Sequence, residues 1–246
     1  MASAPFLDCP EEVQLAILEI LPLPDLATLS MASKGFRRLA EPLVYSTIRL
    51  TWTLQLHPPI TQLLRTLLER PELSSYIRSI EFAGDGFIND TDGTDEDAEW
   101  LDEPETLPGT TALPLNKLSD AVRKTQVSQT TADLWMDKIQ SGEADAVVAV
   151  LVSLLPNLER LSLSTNWTSE TRFLGIMFRS ALCDTHRDVS HIDPPRFVSL
   201  KHVSLEPVLE AYEHLDPINT HDALALSYLP NVKHLCLSID NPTHFS

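Results

Sequence analysis

Sulfur and imidazole side chains gather in one short stretch of the sequence, where they could hold a metal ion. Cys183, His186, His191 and Asp193 lie within a few residues of one another, and thiolate with imidazole is a ligand set that zinc prefers. Their spacing matches no common zinc module, and the charged residues between the two histidines are typical of a solvated loop. The sequence therefore favours a loop here over a zinc site.

A second pair of reactive side chains stands near the end of the chain. His234 and Cys236 are two residues apart, so on a strand they point to the same face, as a cysteine nucleophile and its base would need. No segment nearby supplies an oxyanion hole or an acid that would orient the histidine. Surface positions on a strand explain this pair better than catalysis does.

Glycine is too scarce for most phosphate-binding or hydrolase sites. The chain has 7 glycines in 246 residues, and loops that approach a phosphate closely need this residue. The sequence contains no GxGxxG, no GxxxxGK[ST] and no GxSxG motif. This counts against nucleotide enzymes and serine hydrolases. Because the sequence also has no clustered acid–base pairs and no metal module of familiar spacing, we expect a protein that is not an enzyme and that uses no cofactor and no metal.

An acidic stretch interrupts the middle of the chain. Residues 81–105 contain 11 aspartates and glutamates and no lysine or arginine. Because like charges repel and few apolar residues accompany them, the pattern predicts a solvated, disordered loop. A contact site for a basic segment of a partner is the alternative, with Trp100 and Leu101 as its anchors.

The same stretch resembles a calcium-binding loop only in part. When Gly93 takes the place of the invariant glycine of an EF-hand, Asp90, Asp92 and Glu99 fall at three ligand positions. The first ligand position is then Ile88, whose side chain has no oxygen. The sequence disfavours a calcium site for this reason.

Composition limits the partners of the chain. Lysine and arginine number 18 against 35 aspartates and glutamates, for a net charge of −17, so nucleic acid and anionic membrane surfaces are disfavoured as partners. No apolar run reaches the ~18 residues of a membrane span, and the N-terminus lacks a signal-peptide pattern. The chain has three cysteines, which are far apart in the sequence. An odd number of widely spaced cysteines is typical of proteins in a reducing compartment. We expect a cytoplasmic or nuclear location, or both.

Residues 5–50 predict three short helices. Pro10 suits the start of the first helix, and Pro22 and Pro24 break the helical run. Asp25 could cap or charge the second helix, and Ser33 is placed to cap the third. Some 45 residues are too few to bury this many leucines without help, and no metal cluster or cysteine pair occurs among them. We therefore expect the helical unit to dock on a partner.

This segment closely resembles an F-box, particularly the kind common in filamentous fungi. Cys9 stands where the family usually has leucine before the first proline. The resemblance is carried by Pro10-Glu11-Glu12, Ile17-Leu18, Leu21, Leu23-Pro24-Asp25-Leu26, Ala32-Ser33-Lys34, Phe36-Arg37-Arg38-Leu39-Ala40 and Leu43-Val44-Tyr45.

The resemblance implies the substrate-recognition subunit of an SCF-type cullin–RING ubiquitin ligase. Such a subunit binds a Skp-family adaptor and, through it, the cullin, and it also binds a protein target that this sequence leaves unknown. A non-catalytic scaffold that promotes no ubiquitin transfer remains the alternative. By the match, the adaptor-binding residues would be Pro10, Val13, Ile17, Leu18, Leu21, Pro24, Leu26 and Leu29.

The rest of the chain repeats a short phrase with apolar residues at offsets 0, 3 and 5. The four copies start at Ile77, Leu158, Leu200 and Val232. Their last apolar positions alternate with a polar one, as on a strand with one buried face, and a helical pattern precedes each copy. Units that cannot bury their faces alone must stack. The pattern predicts an α/β fold and resembles a short, irregular leucine-rich-repeat-like solenoid of helix–strand units.

We thus expect an F-box at 1–50 and a solenoid at 51–246. An acidic, disordered insertion is expected at about 84–116 and a further helix at about 117–141. No polar capping unit follows Leu237, so we expect either that another element covers that end or that the sequence is truncated there. Alternation along the strands selects residues that could face a target, namely Arg160, Ser162, Lys201, Ser204, Lys233 and Ser238.

Overall fold

A computed structural model gives the structure of the chain, and it describes residues 6, 9–53, 55–84, 106–167, 172–183, 196–205 and 224–237. Helices and strands alternate along most of this part. The helices are α1 (Glu11–Leu18), α2 (Leu23–Ala32), α3 (Lys34–Val44), α4 (Ile60–Glu69), α5 (Leu115–Lys124), α6 (Gln129–Ser141), α7 (Ala144–Ser153) and α8 (Arg172–Leu182); the strands are β1 (Thr47–Thr51), β2 (Ser79–Ala83), β3 (Arg160–Leu163), β4 (His202–Leu205) and β5 (His234–Leu237).

The three N-terminal helices form as the sequence predicts. Pro10 precedes α1, and its carbonyl accepts the first backbone bonds of that helix, from Val13 and Gln14. Pro22 precedes α2 and Pro24 occupies its first turn, where a missing N–H costs nothing. The hydroxyl of Ser33 accepts a hydrogen bond from the backbone of Phe36 and so caps α3.

The five strands form one parallel sheet in the order of the chain, β1-β2-β3-β4-β5. The four repeated phrases lie on β2 to β5, and their apolar positions are in register, as in Ile80 with Leu161, Leu161 with Val203 and Val203 with Leu235. The predicted strands are confirmed. Parallel neighbours require a crossover between strands. Between β1 and β4 the helices α4 to α8 provide it, and among the described residues a short 3-10 helix, Ala225–Tyr228, precedes β5.

The sequence interpretation missed β1. Tyr45, Ile48 and Leu50 have the offsets of the repeated phrase, and Ile48 and Leu50 pair with Ile80 and Phe82 of β2. The predicted boundary after residue 50 therefore falls inside a strand of the sheet. The helical part of the N-terminal unit already ends at Val44, two residues before β1 begins.

The turn before each strand repeats its hydrogen bonds. The carbonyl of Arg78 accepts from the backbones of Glu159 and Arg160, and the carbonyl of Glu159 accepts in the same way from Lys201 and His202. The carbonyl of Ser46 does so for β2, and that of Lys201 for β5. This repetition fixes the register of the whole sheet.

The Leu-Pro-Asn phrase has a structural role in these turns. The side-chain amide of Asn157 donates to the carbonyl of Ser75 at 2.8 Å, and that of Asn231 donates to the carbonyl of Val198 at 2.7 Å. Ser75 and Val198 each stand two residues before the first apolar position of the preceding copy. Each asparagine therefore joins its own copy of the phrase to the previous one.

The main core lies between the apolar face of the sheet and the helices. It includes α4 and α7, whose predicted helical patterns are confirmed, and α7 is buried on nearly all sides. Trp135 of α6 is fully buried, stacks on Phe173 and donates its indole N–H to the carbonyl of Ala146. Burying an indole is stabilising only when its N–H finds a partner, and here it does.

Part of the predicted disordered insertion is packed. Leu107 and Leu113 are buried, the hydroxyl of Thr61 donates to the carbonyl of Pro108, and that of Thr110 donates to the carbonyl of Gln140. The expectation of disorder is therefore wrong for residues 106–116. The remainder of the acidic stretch beyond Gly84 lies outside the described residues.

One helix prediction needs correction. The single helix expected at 117–141 is two helices, α5 and α6, separated by Gln126 with a positive φ of 64° and restarted by Ser128, which caps α6. The first turn of α8 is capped from a distance, because the buried carboxylate of Asp145 accepts hydrogen bonds from the backbones of Phe173 and Leu174. An acidic group suits the positive end of a helix dipole.

Candidate protein-binding surface

The three N-terminal helices have a small interior of their own. Leu18, Leu26, Leu39 and Ala40 form a cluster that is separate from the main core. Phe6 packs against the same cluster and stacks on Phe36, with ring centroids 5.5 Å apart. Four buried side chains give a modest core, as expected for so short a segment.

Large apolar side chains on α1, in the turn after it and at both ends of α2 are exposed in the described part of the chain. Pro10 and Pro24 are exposed as well. The exposed fractions of the large apolar side chains are 45% for Val13, 40% for Ile17, 79% for Ile20, 54% for Leu23 and 72% for Met31. We call this set, with the two prolines, the apolar surface of α1–α2.

The residues predicted to bind an adaptor separate into three groups. Pro10, Val13, Ile17 and Pro24 are exposed and belong to the apolar surface, whereas Leu21 and Leu29 are half-buried. Leu18 is fully buried and Leu26 is 6% exposed, both within the cluster described above. In this arrangement Leu18 and Leu26 support the surface from inside and cannot form it, which corrects their predicted role.

Sequence reasoning missed three members of the surface. Ile20 stands in the turn after α1, Leu23 is the first residue of α2, and Met31 is near its end. Helical periodicity cannot assign a face to residues in a turn or at a helix end. The available signal was that apolar residues, Ile20 and Leu21 before Pro22 and Leu23 after it, occupy a turn where polar residues are usual.

An ion pair ties the last N-terminal helix to the sheet unit. Arg70, which follows α4, donates from both terminal nitrogens to the carboxylate of Glu41 on α3, at 2.8 and 3.0 Å. Its Nε donates to Glu72 at 3.0 Å. Hydrogen bonding to Glu41 and then to Glu72 raises the pKa of Arg70 further above its ordinary range. A bidentate pair of this kind is more specific in geometry than a single contact.

Only three of the candidate metal and nucleophile residues, Cys183, His234 and Cys236, lie within the described part of the chain. Cys183 is half-buried, and the other zinc and calcium candidates, His186, His191, Asp193, Asp90, Asp92 and Glu99, lie outside the described residues, as do Trp100 and Leu101. His234 and Cys236 are exposed on one face of β5, as predicted for surface positions. Within the described ranges, no three histidine, cysteine or carboxylate side chains are grouped closely enough to hold a metal ion.

The polar face of the sheet, opposite the helices, is open to solvent. One row across it runs through Thr47, Ser79, Arg160, His202 and His234, and the next through Arg49, Glu81, Ser162, Ser204 and Cys236. Of the predicted target-facing residues, Arg160, Ser162 and Ser204 lie in these rows. Lys201 and Lys233 precede β4 and β5, and Ser238 lies outside the described residues.

Charges on this face are partly paired. Arg49 contacts Glu81 at 3.6 Å, and Glu159 contacts both Lys201 at 2.9 Å and Arg78 at 3.5 Å. The hydrogen bond from Lys201 holds the pKa of Glu159 below its ordinary value. Glu81 is the one acid of the 81–105 stretch within the described part, and it is thus part of an ion pair on the sheet.

Two imidazoles stack on the same face. The rings of His202 and His234 have centroids 4.8 Å apart and planes within 9° of parallel. Burial of His202 lowers its pKa, and the neighbouring His234, Arg160, Lys233 and Lys201 lower it further, in that order. At neutral pH the neutral form of His202 is therefore favoured.

Comparison with known families identifies the N-terminal unit. The F-box domain model matches residues 6–43, which cover α1, α2, all of α3 except its last residue, and the whole apolar surface. The chain carries an N-terminal F-box domain. The match ends at residue 43, before the sheet, and no curated protein matches the chain. Among the described helices, none combines the length and the apolar character that a membrane span needs.

Proposed function

We propose that this chain is the substrate-recognition subunit of an SCF-type cullin–RING ubiquitin ligase. The F-box domain would bind a Skp-family adaptor, and the sheet unit would bind the protein target. The single observation that carries the proposal is the apolar surface of α1–α2, which lies within the matched F-box residues and is uncovered in the described chain. We expect this role in the cytoplasm or nucleus.

The energetics of the surface favour a helical protein partner. Fully burying one leucine or isoleucine side chain contributes about 1.5–3 kcal/mol, and a few such anchors supply most of the affinity of an interface. Ile20, Leu23 and Met31 are each more than half exposed. An apolar groove on the adaptor would remove these side chains from water together.

The sheet unit is the proposed target-binding part, and we propose that it is a leucine-rich-repeat-like solenoid. The strictly sequential parallel order and the repeated turn bonds support this architecture, since each helix–strand unit contacts mainly its neighbours. In such a ligase the receptor needs no catalytic residue. It accelerates transfer by holding a target lysine close to a thioester carried by another protein.

The first test replaces one exposed leucine on the apolar surface. Leu23→Asp should reduce adaptor affinity about tenfold or more, because it places a charge in the core of the proposed interface. Leu115→Asp is a matched control. Like Leu23, Leu115 is the first residue of a helix and directly follows a proline, and its side chain is 48% exposed. Affinity is measured with purified adaptor by titration calorimetry.

Both variants should unfold at the same temperature as the parent chain, because both side chains are exposed. Equal adaptor affinity of the Leu23→Asp and Leu115→Asp variants would remove the apolar surface from the interface. Absence of adaptor binding by the parent chain would refute the proposed function as a whole.

A second experiment separates a ligase receptor from a scaffold. The chain is reconstituted with adaptor, cullin and RING subunit, and ubiquitin transfer is followed on proteins captured by the sheet unit. We expect the complex to assemble and to modify a captured protein. Assembly with the adaptor but not with the cullin would instead favour the non-catalytic scaffold.

A further inference from the structure

The polar sheet face is cationic in a chain that is strongly acidic. The chain has a net charge of −17, yet the described part of this face and the turns leading into it hold five cationic side chains against two carboxylates. The cations are Arg49, Arg78, Arg160, Lys201 and Lys233, and the carboxylates are Glu81 and Glu159.

The pairing of these charges leaves the excess at one end. Glu81 pairs with Arg49, and Glu159 pairs with Arg78 and Lys201. Within the described residues, no carboxylate lies within ion-pair distance of Arg160 or Lys233. Arg160 is in register with His202, His202 is in register with His234, and Lys233 directly precedes His234. The two cations and the stacked histidines therefore lie together at the starts of β3–β5, and both cations contribute to the lowered pKa of His202.

We propose that the polar face of β3–β5 binds an extended protein segment rich in aspartate and glutamate, held by Arg160, Lys233 and the His202–His234 pair. Arg160, His202 and His234 are consecutive in one row, so the row spans about 10 Å at the usual ~4.8 Å between strands. Carboxylates on alternate residues of an extended chain are about 7 Å apart, so two of them reach the row together.

The neighbouring row completes the surface. Ser162, Ser204 and Cys236 lie beside the cationic row, one on each strand. Serine hydroxyls both donate and accept hydrogen bonds, so they suit the backbone of a bound segment. The cations and histidines then select acidic side chains on that segment.

Charge also favours a short acidic segment over nucleic acid. At physiological salt a charge acts over about 8 Å, so a short segment meets mainly the local cluster. A longer polyanion also meets the acidic remainder of the chain and is repelled. The predicted selectivity is therefore for carboxylate-rich peptide over an oligonucleotide of the same charge.

Binding should take up a proton. In the free chain the pKa of His202 is lowered by burial and by His234, Arg160, Lys233 and Lys201, while the nearby Glu159 is engaged by Lys201. A bound carboxylate favours the protonated ring and raises this pKa. Affinity should therefore rise as pH falls from neutral to about pH 6, where model histidine titrates and glutamate remains ionised.

The assay uses the full chain without adaptor and a fluorescent hexaglutamate peptide, followed by anisotropy at low salt. The double variant Arg160→Glu, Lys233→Glu should bind at least about tenfold more weakly, because it reverses two charges in the cluster. The control Arg123→Glu, Lys124→Glu changes the net charge equally at exposed positions of α5. It should change affinity by less than about twofold.

Two further arms sharpen the test. Hexaglutamine and a thymidine oligonucleotide of equal charge should bind much more weakly than hexaglutamate. The variant His202→Gln should bind with a weaker dependence on pH than the parent chain. Thermal unfolding of each variant at the parent temperature shows that the fold is retained.

The proposal is overturned by any of four results: no hexaglutamate binding by the parent chain, equal losses in the two double variants, equal binding of the control ligands, or a pH dependence that His202→Gln leaves unchanged. That the segment belongs to a target of ubiquitin transfer rests on the proposed function, whereas peptide binding itself does not. Leu23→Asp should weaken adaptor binding about tenfold or more and retain peptide binding, so the two proposals fail separately.

Discussion

The F-box helices and the sheet unit differ in how completely they bury their large apolar side chains. The F-box encloses Leu18, Leu26, Leu39 and Ala40 and leaves five large apolar residues of α1–α2 outside. The sheet unit packs its helices on one face of five strands and encloses a continuous core from Leu50 of β1 to Leu229. The difference follows from size, since a short helical unit has too little interior for its apolar residues.

This contrast shows that residue type alone does not separate core from interface. Leu23 of α2 and Leu64 of α4 are both leucines near proline-flanked helix starts. Leu64 is fully buried, whereas Leu23 is 54% exposed. In the sheet unit apolar residues stabilise the fold, and on the outer side of the F-box they are available to another protein.

The largest effect is expected in the closed core. Trp135→Ala should lower the free energy of unfolding by about 3–5 kcal/mol, because Trp135 is fully buried, stacks on Phe173 and bonds to the carbonyl of Ala146. Urea denaturation followed by circular dichroism measures the change. A loss under about 1 kcal/mol would contradict the description of this core as tightly closed.

In the F-box, a buried and an exposed residue should differ in how much their truncation lowers the free energy of unfolding, and both losses should be smaller than that of Trp135→Ala. Leu18→Ala should cost about 2 kcal/mol, near the low end for leucine truncation, because a cluster of four buried residues can partly collapse around the gap. Ile20→Ala, at a residue 79% exposed, should change stability by no more than about 0.5 kcal/mol.

Thermal unfolding of both variants measures this difference, and adaptor titration provides the complementary readout. Ile20→Ala should weaken adaptor binding while leaving the melting temperature in place. If Leu18→Ala proves harmless to stability, the assignment of Leu18 to the interior is incorrect.

The smallest effect is expected where the two regions meet. Arg70→Ala and Glu41→Ala should each cost about 1 kcal/mol, and the double variant should cost less than their sum. The pair is bidentate, yet the Arg70 side chain is 43% exposed, so solvent screens much of the attraction. A double-mutant cycle from denaturation curves gives the coupling energy, and additive losses would show that the pair does not join the regions.

Much of the sheet could be predicted because its information is local. Apolar residues at offsets 0, 3 and 5 placed β2 to β5 correctly, and the same offsets from Tyr45 mark β1, which was missed because it adjoins the F-box motif. Lys201-His202 and Lys233-His234 stand at the same place in their copies of the phrase, and His202 and His234 are neighbours in the sheet, where their rings stack. Residues at equivalent positions of successive sequence repeats are therefore neighbours in the sheet.

Features that depend on distant residues could not be predicted. The cap of α8 comes from Asp145, 28 residues away from Phe173, and no local pattern points to it. The packing of Leu107 and Leu113 depends on α4 and α6, so the adjacent acidic stretch made these residues look like loop.

The binding surface was predicted in outline only. Periodicity groups Val13, Ile17 and Leu18 on one helix, but it does not say which flank meets α3 and which meets water. The structure decides this, because α3 covers Leu18 and leaves Val13 and Ile17 exposed. Ile20 and Leu23, in and after the turn, could only be assigned once that packing was known.

The two residues between α3 and β1 have a geometric consequence. Tyr45 and Ser46 are the whole connection between the F-box and the first strand, and the carbonyl of Ser46 is already engaged by the backbones of Arg78 and Ser79. A connection of two residues leaves the F-box little freedom to rotate relative to the first strand. A protein bound to the sheet would consequently keep a constant orientation and distance relative to a protein bound to the first two helices. In the proposed ligase, the position of a lysine on the bound protein would then decide whether it is modified.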